Sequence, residues 1–214
     1  MTAREQILGD VRTALGRAGS RTPPALAAPL LRISQTDRNL RTRLFVQNLE
    51  KLSGKVILAP NAASATQAIQ NILAGQPAVA SNAPFLATCG VTSLPNVRSG
   101  FTDREALREA SSTAVIGITS ADYALAETGS LVLLSSPLEA RLISLLPPVH
   151  VAVFPRSRIL ANLDELLRAV PLPAEQTSSM VLITGPSRTA DIEQILVRGV
   201  HGPGEVYAVI VEDS

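Results

Sequence analysis

Several residue types are scarce in this chain of 214 residues, and each scarcity excludes a class of function. The single cysteine, Cys89, can form neither an internal disulfide nor an iron–sulfur or zinc site by itself. Aromatic residues make up only 3% and tryptophan is absent, so a nucleic-acid reader that stacks bases on aromatic rings is not expected. The formal net charge of +1 does not predict a general polyanion-binding surface either.

Long apolar runs are also missing from the sequence. No run approaches the roughly 18–20 residues that span a bilayer, and the start of the chain lacks the charged-then-apolar layout of a secretion signal. We therefore predict a cytoplasmic protein without a membrane partner. Hydrophobic residues make up 46% and charged residues 17%, which is typical of a globular protein with a sizeable core.

The sequence predicts two regions, an N-terminal appendage over residues 1–35 and an α/β domain over residues 36–214. Thr2 and Glu5 have the spacing of a helix capping box, and apolar residues recur at helical spacing up to about residue 18. Three prolines between residues 21 and 29 then predict a stiff linker. The helix either packs on its own domain or docks onto a partner, and the sequence leaves both readings open.

From Thr36 onward, short apolar strands alternate with helices. This order predicts an α/β fold with a mixed, largely parallel sheet flanked by helices on both faces. The run 123–134 has no helix between its apolar halves, so we predict one antiparallel hairpin or one long bent strand inside that sheet. Helices are predicted to open at Ser136 and to cover residues 158–168 and 189–197.

Glu127 lies between the two apolar halves of the predicted hairpin. Burying an ionised carboxylate without partners is costly, so a buried Glu here would need a functional explanation. Thr128 and Gly129 follow directly, which suits a tight turn or a close backbone approach. We therefore predict Glu127 as a catalytic residue, with Thr128 and Gly129 beside a ligand.

A second candidate site follows a predicted strand, where Gly185 and Ser187 lead into a predicted helix through Arg188 and Thr189. Free amides at a helix start favour an anion, and these side chains add donors. The alternative is plain helix capping by Ser187 or Thr189, with Asp191 complementing the helix dipole. Asp191 also counts against an anion site, because it would repel a second negative charge.

A third candidate is the turn before the last strand, where His201 and Gly202 bring an imidazole to the edge of the sheet. His201 is either a proton donor to a ligand or a structural turn residue. Arg141, in the predicted helix after Ser136, is positioned to bind ligand across the end of the sheet. A salt bridge from Arg141 to Glu127 or Glu139 is the competing reading.

Two other reactive residues are predicted to be structural. Cys89 is expected to pack as a small hydrophobe, and His150, which starts an apolar strand after two prolines, is expected to be a hydrogen-bonded core histidine. The generic fingerprints of dinucleotide, nucleotide, hydrolase and zinc-protease sites are absent from the sequence. The residues alone therefore predict an α/β domain with an anion-binding cleft and no metal.

Four ordered blocks between residues 117 and 205 resemble the LUD domain, the lactate-utilisation protein C family. They read GITSADYALAETGSL (117–131), RLISLLPPVH (141–150), ITGPSRTADIE (183–193) and GVHGPGE (199–205). The resemblance extends more weakly back to about residue 37, and it does not reach the N-terminal helix and linker.

This resemblance implies a NagB/RpiA/CoA-transferase-like fold and membership of a three-component cytoplasmic system that oxidises L-lactate to pyruvate. In the family the other two components carry the iron–sulfur clusters, so this chain is expected to bind no cofactor itself and to have those subunits as partners. Three functions then compete. The first is a subunit that binds a small carboxylate or phosphorylated ligand; the second is a stand-alone enzyme of the CoA-transferase or sugar-phosphate-isomerase class; the third is a scaffold for the cluster-bearing subunits.

Overall fold

The computed structural model describes residues 2–16, 37–190 and 196–213, and it divides into two compact units, Met1–Arg32 and Ile33–Ser214. The first unit contains one helix, α1 (Ala3–Ala14). Its start is the predicted capping box, because the Thr2 hydroxyl accepts from the Glu5 amide and the Glu5 carboxylate accepts from the Thr2 amide. The predicted proline-rich linker lies outside the described residues.

The second unit alternates helices and strands along most of its length. Its described elements are α2 (Arg38–Lys51), β1 (Lys55–Ala59), α3 (Ala62–Leu73), β2 (Ala78–Ala80), α4 (Pro84–Thr88), β3 (Val97–Arg98), α5 (Arg104–Thr113), β4 (Ile116–Ser120), β5 (Tyr123–Leu125), β6 (Ser130–Leu134), α6 (Arg141–Leu145), β7 (Val149–Pro155), β8 (Ile159–Leu160), α7 (Leu163–Ala169), α8 (Pro173–Gln176), β9 (Met180–Ile183), β10 (Arg188–Ala190), β11 (Leu196–Arg198) and β12 (Glu205–Val211).

The main sheet has six parallel strands in the order β1-β12-β7-β4-β2-β3, with helices on both faces, which confirms the predicted fold class. Its central strands are apolar on both faces because neither face meets solvent. One face packs on α3 and α4 through Ile69 and Leu86. The other face packs on α2, where the rings of Phe45 and Phe154 meet edge to face at 5.8 Å between centroids.

The run 123–134 forms an antiparallel hairpin, β5–β6, as one of the two predicted readings requires. Its predicted place inside the main sheet is wrong, since the hairpin belongs to a separate four-stranded sheet in the order β8-β5-β6-β9. One face of this sheet packs on the α2 side of the main sheet, where Leu131 and Phe154 belong to the same core cluster. The other face packs on α7, in a cluster that includes Leu125 and Leu166. A strand that is apolar on both faces has the same sequence pattern in either sheet, so the pattern cannot assign the hairpin to one of them.

The predicted helix 189–197 is wrong. Arg188–Ala190 and Leu196–Arg198 instead pair as antiparallel strands, with Thr189 opposite Val197. The apolar residues of this segment fit helical spacing, but β-branched Thr189 and Val197 suit a strand and the pairing overrides the spacing.

Two other predicted helices start later than expected. The Ser136 hydroxyl accepts from the amides of Leu138 and Glu139 in a separate turn, and α6 begins only at Arg141. The predicted helix 158–168 begins at Leu163, capped by Asn162. The residues before it pair with β5 as strand β8, so tertiary pairing shortened this helix as well.

Candidate functional site

Glu127 lies in the turn between β5 and β6, and its side chain is exposed. The expectation that Glu127 is a buried carboxylate is therefore wrong. The turn itself is held tightly, because the Asn48 amide donates to the carbonyls of Ala126 and Glu127 at 2.8 and 2.9 Å. Gly129 has a φ of +67°, and a Cβ there would lie 2.4 Å from the Leu49 amide nitrogen, so the predicted close backbone approach is made against α2.

The second candidate site, at residues 185–189, follows β9 and lies beside the hairpin turn that carries Glu127. Thr128 Oγ1 and Ser130 Oγ are 2.7 Å apart, and Ser130 Oγ is 2.7 Å from Thr184 Oγ1, so a row of hydroxyls joins the hairpin turn to the end of β9. Gly185, with a φ of +91°, approaches Leu52, the C-cap residue of α2. Both candidate turns are thus packed on the C-terminal half of α2.

Arg188 is exposed, and its guanidinium donates to the carbonyl of Leu52 and, at 2.9 Å, to the hydroxyl of Ser53. The last carbonyls of a helix lack partners within the helix, so Arg188 acts as a cap on the C-terminus of α2. Among the described residues no hydrogen bond or ion pair joins Arg188 to Glu127. A helix start with free amides, on which the anion site was predicted, is not formed here.

Ser187 ties this segment to the turn before β12. Its amide donates to the Pro203 carbonyl at 2.9 Å, its carbonyl accepts from the Gly199 amide at 3.0 Å, and its hydroxyl accepts from the His201 amide at 3.3 Å. Thr189 pairs within the β10–β11 ribbon. Asp191 lies outside the described residues.

His201 is exposed at the amino end of β12. All strands of the main sheet are parallel, so this turn lies at the amino edge, whereas open α/β sheets bind ligands at the carboxyl edge. His201 and Gly202 line an open cavity of about 670 Å³, which we name the His201 hollow. Its other walls are largely apolar, with Leu145, Leu146 and Val200 among them.

At the carboxyl edge the structure reveals a residue that the sequence reasoning did not select. Glu139 is only 7% exposed and lies above the ends of β2 and β4, which are neighbours in the main sheet. Its Oε2 accepts from the Ser81 hydroxyl at 2.8 Å and from the Ser120 amide at 3.1 Å. Its other oxygen, Oε1, is buried and has no hydrogen-bond partner among the described residues.

Burial raises the pKa of Glu139 to about 8; the two donors lower it, and the charge of Asp122 raises it further. At pH 7 the neutral acid therefore outnumbers the carboxylate by about ten to one. The nearby Asp122 also has a raised pKa, caused by burial, although its carboxylate accepts from the Leu134 amide at 2.7 Å.

Glu139 lines an open cavity of about 710 Å³, which we name the Glu139 hollow. Arg141, the first residue of α6, lines the same cavity, and its exposed guanidinium donates to the Ser179 hydroxyl at 3.3 Å. Further walls come from Ser135, Glu175 and Thr177. The alternative salt bridge from Arg141 to Glu127 or Glu139 is not found among the ion pairs of the described residues.

His150 is fully buried, and its Nε2 lies 2.8 Å from the Thr119 hydroxyl, which confirms the predicted core histidine. Burial lowers the pKa of His150 to about 4, so the ring is neutral at pH 7. Cys89 is buried in the core, as predicted. The described residues include no group of three or more His, Cys, Asp or Glu that could hold a metal ion. Over the same residues, no helix is both long and apolar enough to cross a membrane.

Comparison with known proteins identifies a family and several relatives that this chain resembles. The family model described as the LUD domain matches residues 42–211. A Lactate utilization protein C of Halalkalibacterium halodurans is 44% identical over 116 residues, which cover 52% of this chain and 50% of that protein. The chain thus spans about half the length of this curated relative.

A protein called uncharacterized protein YkgG, from Escherichia coli K12, is 32% identical over the full length of both chains. Among solved structures, the crystal structure of a DUF162 family protein from Deinococcus radiodurans is similar, with a TM-score of 0.62 and 19% identity. The likeness covers 82% of this chain and 99% of that one, and it supports the fold alone.

Proposed function

We propose that this chain, which belongs to the LUD domain family, acts in lactate utilisation as a subunit that binds a small carboxylate in the Glu139 hollow. The names of its relatives support the metabolic role, since several are called Lactate utilization protein C. The system would be the three-part cytoplasmic one that oxidises L-lactate to pyruvate. Its iron–sulfur subunits would be the partners, and the single cysteine of this chain agrees with clusters held elsewhere.

One observation carries the choice of site. Glu139 is a buried acid whose Oε1 has no partner among the described residues, and it is one of the residues that line a 710 Å³ cavity at the carboxyl edge of the sheet. A buried polar atom without a partner costs about 1–3 kcal/mol, and a ligand atom that pairs with it recovers that free energy. The cavity thus lies where parallel sheets bind their ligands, beside a buried acid with an unused hydrogen-bonding atom.

Arg141 supplies the charge that a carboxylate needs. Its guanidinium has five donors, and only a long bond to Ser179 is formed among the described residues. A charge-assisted pair between guanidinium and carboxylate is stronger than a neutral hydrogen bond. Ser135 and Thr177 add hydroxyl and backbone groups to the same walls.

The test is a titration of the purified full-length chain with lactate, pyruvate, acetate and phosphate, followed by calorimetry and by the melting temperature. We expect at least one of the small carboxylates to bind, and Arg141→Ala to weaken that binding about tenfold or more, because hydrogen bonds to charged groups contribute about 1.5–3 kcal/mol. Arg141→Lys keeps the charge and should lose less.

Arg188→Ala is the matched control, because Arg188 is also exposed but binds the end of α2. It should leave affinity unchanged. Loss of binding in Arg188→Ala with normal binding in Arg141→Ala would contradict the Glu139 hollow. It would favour the predicted anion site at Ser187, Arg188 and Thr189 instead.

Two alternatives are distinguished by separate measurements. A stand-alone CoA-transferase would form a covalent adduct with an acyl-CoA on Glu127 or Glu139, which mass spectrometry of a trapped sample would detect. For a scaffold, deleting residues 1–30 should abolish capture of the iron–sulfur subunits, whereas Arg141→Ala should not. The exposed apolar face of α1, with Ile7 and Val11, supports that second test.

A further inference from the structure

The Glu139 hollow has two exposed charges of opposite sign on different walls. Arg141 is the first residue of α6 and Glu175 lies in α8, and both side chains are exposed. Among the described residues, the Arg141 guanidinium donates only to the Ser179 hydroxyl, and the Glu175 carboxylate forms no hydrogen bond or ion pair. The cavity thus contains one cation and one anion, and neither has a charged partner within the described structure.

These two charges are held near each other without forming an ion pair. The segment that carries Glu175 is anchored to the opposite wall, because the Thr177 hydroxyl donates to the Ser135 carbonyl at 2.8 Å. Arg141 reaches the same segment at Ser179, four positions after Glu175 along the chain. Four residues span at most about 14 Å. A ligand that pairs with Arg141 therefore lies within electrostatic reach of Glu175.

A role for Glu175 in helix stability is the competing explanation. An acidic residue in the first turn stabilises a helix through the helix dipole. Because α8 has only four residues, Pro173–Gln176, few peptide dipoles are aligned in it, and an exposed charge there contributes little. The Glu175 side chain also binds no other described part of the chain, so its main effect is on what enters the hollow.

Resting on the proposed function, we infer that Glu175 restricts the Glu139 hollow to small monocarboxylates and excludes dianions. The carboxylate of the ligand would pair with Arg141, and its uncharged end would face Glu175. A dicarboxylate or a phosphate monoester would bring a second negative charge toward Glu175, and like charges placed together across a binding surface oppose association. Glu139 does not reverse this selection, because a neutral Glu139 adds no charge and an ionised one would also repel the second anion.

The experiment compares lactate and pyruvate with malonate, which also has three carbons but carries two carboxylates. Binding to the full-length chain is measured by calorimetry at pH 7 and constant ionic strength, since salt screens exposed charges. We expect the tighter-binding of the two monocarboxylates to have a dissociation constant at least about tenfold lower than that of malonate.

Glu175→Gln is the decisive variant, because it removes the charge and nearly keeps the shape of a side chain that has no partner. It should raise the affinity for malonate about tenfold and change that for the monocarboxylates by less than about threefold. Glu175→Asp keeps the charge and should keep the selectivity. Glu109→Gln is the matched control, because it removes the same charge from an exposed side chain on α5, outside the hollow, and should leave the selectivity unchanged.

Malonate that binds the natural chain as tightly as a monocarboxylate would overturn this inference and leave the proposed binding site intact. An unchanged selectivity in Glu175→Gln would overturn it as well. Equal gains for malonate in Glu175→Gln and Glu109→Gln would assign the effect to net charge and not to the hollow. If neither monocarboxylate bound the natural chain, the proposed function itself would fail, and the inference would fail with it.

Discussion

Replacing Glu139 by Gln should remove a pH dependence from the stability of the chain. The pKa of Glu139 is about 8 in the folded chain, against 4.5 for an ordinary Glu. Below pH 4.5 the acid is neutral in both folded and unfolded chains, so its favourable contribution is fully present. As the pH rises toward 8 the unfolded chain releases this proton and the folded chain does not, so the free energy of unfolding falls with pH.

The size of the effect follows from the shift. One pKa unit corresponds to ~1.4 kcal/mol, so the free energy of unfolding should fall by about 1.4 kcal/mol per pH unit in this window. Over the full window the loss reaches about 5 kcal/mol at most. That is a large share of the stability of a typical domain, about 5–15 kcal/mol.

The assay is urea unfolding of the natural chain and of Glu139→Gln at pH 5.5, 7.0 and 8.5, with linear extrapolation to water. Circular dichroism is the suitable signal, since the chain has no tryptophan. We expect the stability of the natural chain relative to Glu139→Gln to fall by about 3 kcal/mol between pH 5.5 and 8.5. Comparing the two chains cancels the titration of other groups.

Glu127→Gln is the matched control, because the same substitution there changes an exposed side chain without a hydrogen bond among the described residues. Its curve should run parallel to that of the natural chain. Parallel curves for the natural chain and Glu139→Gln across the whole range would refute the reasoning, because Glu139 would then ionise alike in folded and unfolded chains.

Three further substitutions test the packing that positions the site. Gly129→Ala should destabilise the chain by more than about 2 kcal/mol, because the added Cβ would meet the backbone of α2. Gly75→Ala, also at positive φ but in open space, should cost only about 1 kcal/mol. Equal losses of unfolding free energy in urea would contradict the close approach of Gly129 to α2. Arg188→Ala should cost about 1 kcal/mol by removing the cap of α2, and an unchanged melting temperature would argue against that cap. Phe45→Ala should cost about 3–5 kcal/mol as a buried ring is lost, and exposed Leu58→Ala should stay within about 1 kcal/mol in the same measurement.

The sequence predicts the parallel sheet well because its strands are short, apolar and separated by helices. Lys55–Ala59 and Ala78–Ala80 are short runs of this kind, and they form β1 and β2. The signal weakens where pairing partners decide the structure. Thr189 and Val197 are strand residues because they face each other in the β10–β11 ribbon, and spacing along the chain cannot show that.

The candidate site is harder to predict, since apolar neighbours in sequence do not ensure burial in space. Glu127 has apolar residues on both sides, yet it lies at a hairpin turn and is exposed. Glu139 lies between Leu138 and Ala140 and was predicted only as an alternative salt-bridge partner of Arg141, yet it is buried. Its two donors come from Ser81 and Ser120, 58 and 19 positions away along the chain. A usable signal does exist, since each of these serines stands at the carboxyl end of a strand, where side chains of neighbouring parallel strands converge.

The loop that carries Glu139 is held by hydrogen bonds at both ends, and this affects the conformational entropy that is lost when a ligand binds. At its start, the Ser135 amide donates to the Ser179 carbonyl at 2.9 Å and the Thr177 hydroxyl donates to the Ser135 carbonyl at 2.8 Å. At its end, the Leu138 carbonyl accepts from the Asn82 amide at 2.9 Å. The first anchor follows from the pairing of β6 with β9, and the second from the end of β2 in the main sheet.

Both sheets therefore fix the position of one carboxyl group, although neither sheet contains it. A group held in this way loses little conformational entropy when a ligand binds, so most of the interaction free energy would appear as affinity. The same rigidity keeps Oε1 of Glu139 from turning toward solvent, which explains how a polar atom stays buried without a partner in the described structure. A flexible loop would relieve that cost by moving, and the preference for a neutral acid would then disappear. The position of the second sheet, which the sequence did not reveal, thus helps to determine where the Glu139 carboxyl group lies.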